Sequence, residues 1–65
     1  MTTYTIGQKV NYSNGNPSIY TGIIVAINNN GNELVIIDVD DHAGMELFRA
    51  GYAVGNCIHP NQVVK

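Results

Sequence analysis

Apolar residues concentrate in two runs, Ile23 to Ile27 and Leu34 to Val39, on either side of the polar stretch Asn28 to Asn32. Both runs are rich in β-branched residues and read as strands. Between them lies Asn30-Gly31, a dipeptide that tolerates the positive φ angles of a type I′ turn. The stretch Tyr20 to Asp41 is therefore expected to form a hairpin, with strands over Ile19 to Asn28 and Glu33 to Asp40. Gly22 interrupts the first of these early, where a bulge or tight bend is expected.

The remaining pattern predicts shorter pieces. Met1 to Thr5 reads as a loosely held tail, with Tyr4 and Ile6 able to extend an edge strand. Gly7 marks a turn, and Gln8 to Tyr12 alternates as a half-buried strand should. Ser13 to Ser18, SNGNPS, is a loop, because Asn14-Gly15 and Asn16-Pro17 both favour turns. Asp41 to Gly44 reads as a turn. Met45 to Ala50 has helical propensity but is short and flanked by glycines, so a strand is expected there. Gly51 and Gly55 bracket Tyr52 to Val54. Asn56 to His59 is extended, since the residue before Pro60 is pushed out of the α region. Pro60 to Gln62 predicts a 3₁₀ turn and Val63 to Lys65 a last strand.

Strand periodicity divides the hairpin into two faces. Ile24 and Ala26 share one face, and Ile23, Val25 and Ile27 the other. Leu34 and Ile36 oppose Val35, Ile37 and Val39. Both faces are apolar, unlike those of a half-solvated antiparallel sheet. The face bearing Ile23, Val25, Ile27, Val35, Ile37 and Val39 therefore needs a cover. That cover is the tail, the segment after Asp41, or another molecule. The expectation is self-association or a protein partner on these six residues.

Length and charge narrow the classes. Sixty-five residues hold one domain, spanning residues 1 to 65, with one core. Such a domain gains from a disulfide, a metal, dense packing or self-association. The single cysteine, Cys57, rules out an intrachain disulfide and suits a reducing, cytoplasmic setting. No apolar run is long enough for a membrane helix, and no secretory signal is expected at the start. The formal charge is -2, with only three basic residues, Lys9, Arg49 and Lys65. Nucleic-acid binding needs more cations than these along a groove.

Polar clusters offer little chemistry. Asp38, Asp40, Asp41 and His42 are spaced for joint cation binding, yet they lack the oxygens and glycine of a calcium loop. Their ordinary role is to end a strand and solvate a loop. Cys57 and His59 share a strand face and, with His42 and an aspartate, could ligate zinc. A buried thiol and a turn histidine are the plainer reading. A Cys-His catalytic pair would need a pocket and hydrogen-bond reach. No catalytic, cofactor or metal site is expected. Tyr4, Tyr12, Tyr20, Tyr52 and Phe48 suit packing in one core.

The order of elements resembles the SH3-like small barrels. The likeness rests on Gly7-x-x-Val10, then Tyr20-x-Gly22-x-Ile24 opening a long strand, and the closing His59-Pro60-Asn61-Gln62-Val63-Val64. It implies an all-β, five-stranded antiparallel barrel, a superfold with many functions. The chain has no tryptophan and no ALYDY-like segment, so proline-rich peptide binding is not implied. The basic loops of KOW-type barrels are missing. A Tudor-like cage would require the aromatic side chains to converge. Gly51-Tyr52-Ala53-Val54 and Ile58-His59-Pro60 are faintly similar to the plasmid-borne dihydrofolate reductases. The Val-Gln-Ile-Tyr motif of those enzymes is not found, so their activity is not carried over. The reading is a small non-enzymatic interaction module, acting as an oligomer or accessory subunit. The alternatives are a ligand or enzyme site at a symmetric interface, and nucleic-acid binding.

Overall fold

The computed structural model describes residues 3–13, 15, 18–52 and 54–64. Five antiparallel strands and one short helix make it mostly β, the class expected from sequence. The strands are β1 (Lys9–Ser13), β2 (Ile19–Asn28), β3 (Glu33–Asp38), β4 (Asn56–Ile58) and β5 (Val63–Val64). The helix, α1, spans His42–Arg49. Strand order across the sheet is β4-β3-β2-β1-β5.

β2 ties the sheet together. Its first half pairs with β1, from Lys9 opposite Ile23 to Ser13 opposite Ile19. Its second half pairs with β3. The hairpin tip is the expected type I′ turn. Asn30 has φ 57° and ψ 35°, Gly31 has φ 90°, and the Asn32 N–H donates to the Asn29 carbonyl at 3.1 Å. Asparagine and glycine tolerate this left-handed backbone better than other residues.

The bulge lies at Val25, not at Gly22. Ile24 faces Ile36, while Ala26 faces Val35, so one residue of β2 is left without a counterpart. An extra residue reverses which face the following side chains take. Ile27 consequently packs against the core with Leu34, and does not share the outer face with Ile23. Strict alternation through β2 had placed it there.

The core consists of Val10, Tyr12, Ile24, Leu34, Ile36 and Ile58, with Tyr4, Ile27 and Val63 packed against it. Tyr4 thus anchors a segment expected to be a loose tail. The turn at Gly7 is present: Gln8 N–H donates to the Thr5 carbonyl at 3.0 Å, and Gly7 N–H to that of Ile24 at 2.7 Å. Asn14, Asn16 and Pro17 of the expected loop lie outside the described residues, as do Met1, Thr2, Ala53 and Lys65.

Only residues 59–62 separate β4 from β5, the opposite edges of the sheet. Flat, five strands would hold those edges about 19 Å apart. The 3₁₀ turn Pro60–Gln62 advances only about 6 Å. The sheet must therefore curl to bring Ile58 and Val63 over one core. Gln62 fastens the curl. Its side-chain Oε1 accepts the His59 N–H at 2.8 Å, and its side-chain Nε2 donates to the Ser13 carbonyl at 2.9 Å. Among the described residues no ladder joins β4 to β5, so the sheet is curled but open.

Of Met45 to Ala50, expected as a strand, Met45 to Arg49 belong to α1 and Ala50 is its C-cap. Asp41 caps the helix, accepting the Gly44 N–H at 2.9 Å. Gly51, at φ 97°, ends it: its N–H donates to the Phe48 carbonyl and that of Tyr52 to Leu47, each at 3.0 Å. This pair of bonds is a Schellman motif. Gly44 does not break the helix; it is buried in the first turn, where a Cβ would crowd the Asp41 carboxylate.

Candidate functional site

α1 packs on β3, and beyond it Tyr52, Val54 and Gly55 stand beside Val25, Ala26 and Val35 of the hairpin. The chain therefore supplies part of the cover that the two-sided hairpin demands. Ile37 shows how far this goes. It stands outside the main core cluster yet is only 2 % exposed. Its cross-strand partner, Ile23, is half-buried.

The cover is incomplete. A cleft of about 520 Å³ remains between the sheet and the returning chain. Val25, Ala26 and Val35 line it from the hairpin, and Cys57 from β4. Phe48 contributes from α1, followed by Tyr52 and Val54. Tyr52 is 61 % exposed, a large aromatic surface beside an apolar cleft. The Cys57 thiol is exposed as well, not buried as the plainer reading had it.

The six outer-face positions thus separate. Val25 and Val35 line the cleft, Ile37 is buried, Ile23 is half-buried, and Ile27 packs against the core. Val39 stands apart, 37 % exposed, beside a 190 Å³ niche. Phe48, Tyr52 and Val54 were not among the expected site residues. The signal for them was available: an aspartate cap at Asp41 and a glycine stop at Gly51 bracket a helix that would carry Phe48 back onto the sheet.

The acidic cluster disperses into separate roles. Asp41 is the helix cap. Asp38 accepts a hydrogen bond from the Tyr12 hydroxyl. Tyr12 also lies against Tyr20, with ring centroids 5.7 Å apart. Tyr52 and Phe48 sit at the cleft, so the four aromatic side chains do not form one cage. His59 precedes the 3₁₀ turn with the extended backbone expected of it. Among the described residues no three histidine, cysteine, aspartate or glutamate side chains converge on a point.

Tyr12 carries a clear electrostatic signature. Burial raises its pKa above the ordinary 10.0, and the hydrogen bond and charge of Asp38 push the same way. The unfolded chain therefore releases this proton at lower pH than the folded one. The stabilisation is complete below pH 10 and is lost as pH climbs towards the folded value. Tyr12→Phe should leave Asp38 without its donor, at a cost of about 1–3 kcal/mol near neutrality. It should also flatten the loss of stability above pH 10, read as urea midpoints across an alkaline series. An alkaline limb that persists unchanged in the variant would assign it to another group.

No family model matches the chain, and comparison with curated proteins and with solved structures gives no significant match. No helix is long and apolar enough to cross a membrane among the described residues.

Proposed function

We propose that the chain is a small non-enzymatic protein-interaction module, acting as an oligomer or accessory subunit through the cleft on the outer face of its hairpin. One observation carries this reading: a 520 Å³ cleft, lined mainly by apolar side chains, that the chain's own helix leaves open. Exposed aromatic residues beside such clefts serve as interface anchors, and Tyr52 is placed to do so. Among the described residues no charged side chain lines the cleft, so the partner would present an apolar group there. The strand order and the shared, bulged β2 support an SH3-like barrel as the scaffold. The lone cysteine suits a reducing compartment such as the cytoplasm.

Light scattering under reducing conditions tests the proposal, the reductant excluding dimers linked through Cys57. At micromolar concentration the mass should exceed that of one chain, or a native partner should co-purify through the cleft. Tyr52→Lys and Val25→Lys should each abolish the association while keeping the native circular dichroism. A single-chain mass with no partner retained, and Cys57 alkylation independent of concentration, would end this reading.

The cleft volume also favours a second reading, because small-ligand pockets run about 300–1,000 Å³. Binding would raise the melting temperature by mass action. A thermal-shift screen of nucleotides and folates separates the two: a hit blocked by Tyr52→Lys supports a ligand, and an association without hits supports a protein.

A further inference from the structure

The tip of the β2–β3 hairpin carries chemistry unrelated to the cleft. Asn30 precedes a glycine, the residue that crowds its own nitrogen least. In a flexible chain the Gly31 nitrogen attacks Cγ of Asn30. The N–Cγ bond forms, the Cγ–Nδ2 bond breaks, and ammonia leaves with the proton given up by the Gly31 amide. The succinimide ring then takes up water and opens at either carbonyl, giving aspartate or isoaspartate. One water enters and one ammonia leaves, with no change of oxidation state.

Ring closure requires Cβ of Asn30 and the Gly31 nitrogen to eclipse each other about the Cα–C bond. At φ 57° and ψ 35° they lie nearly opposite across that bond. Eclipsing them means turning ψ well past a right angle and breaking the hydrogen bond from Asn32 N–H to the Asn29 carbonyl. Solvent access is no obstacle, since Asn30 is exposed.

We infer that Asn30 is a deamidation site gated by the hairpin, protected while the turn is closed and reactive when β2 and β3 separate. The product is consequential for the fold. Isoaspartate adds a methylene to the main chain, which the tight turn has no room for. Either product adds a negative charge to a chain already at -2. The hairpin holds Ile24, Leu34 and Ile36, the most deeply buried side chains, so a modified turn hinders reclosure of the core.

The test compares the folded chain with a synthetic peptide spanning Ile27 to Leu34 in the same mildly alkaline buffer, using peptide mapping by mass spectrometry. The reactive population is the open one, so the folded chain should deamidate at Asn30 more slowly by about tenfold or more. Urea should bring it up to the peptide's rate. Asn30→Asp, which tolerates the positive φ and has no side-chain amide to lose, should lose the signal. Equal rates in the folded chain and the peptide would overturn the inference. So would a mass gain in the mapped fragment that survives in Asn30→Asp.

Discussion

Replacing Ile37 by lysine is expected to unfold the chain, whereas Val25→Lys should leave it folded. Both residues belong to the apolar outer face of the hairpin, but their surroundings differ. Ile37 is 2 % exposed beneath the chain's own cover. Burying an isoleucine contributes about 1.5–3 kcal/mol, and an ammonium group at that depth adds a desolvation penalty. Losses above about 4 kcal/mol come from unpaired buried charge of this kind. A domain of this size is stable by only about 3–10 kcal/mol, so little would remain. Val25 instead lines the open cleft and is half-buried. A lysine stem can lie along the cleft with its ammonium in water, at a loss of about 1 kcal/mol. Far-UV circular dichroism and urea midpoints distinguish the two. Wild-type stability for Ile37→Lys would mean that this position is not sealed from water.

The pair also turns the central puzzle of the sequence into two answers. The alternating pattern shows that both faces of the hairpin are apolar, but it cannot say what covers the second. Here Ile37 is buried within the chain, while Val25 and Val35 line a cleft beside the segment after Asp41.

Most of the sheet was legible because strand periodicity and turn chemistry agree. β2 over Ile19–Asn28, the turn at Asn30-Gly31 and the 3₁₀ turn at Pro60–Gln62 all fall where local rules place them. α1 was hidden by Gly44, which reads as a breaker. In place it sits one turn into the helix, donating to the Asp41 cap. The bulge at Val25 was hidden because it sits within a continuous apolar run, where nothing marks the change of face. That one residue moved Ile27 from the candidate surface into the core. The cleft depends on both features, so its walls could not be read from periodicity alone.

Gly22 was legible as exceptional, but for a reason other than a bulge, and Gly22→Ala is expected to cost about 1–3 kcal/mol by overpacking. Gly22 is buried where β2 passes from one partner to the other, opposite both Val10 and Asp38. A Cβ there would meet the Ile36 side chain and stand 2.9 Å from the Ile37 carbonyl oxygen. The side chain can adjust, but the carbonyl belongs to the β3 ladder and cannot move without loosening it. Alanine restricts the unfolded chain more than glycine does, which offsets about 0.4–1 kcal/mol. The steric term should still prevail, lowering the melting temperature by about 4–8 °C for each kcal/mol lost. Ile36→Leu removes the β-branch that a new Cβ would strike. The double variant should therefore lose less than the sum of the two single changes, although the fixed carbonyl prevents full rescue. Thermal melts of the four proteins in that cycle decide it. An unchanged or raised melting temperature for Gly22→Ala would show that β2 and β3 have room to part at this point.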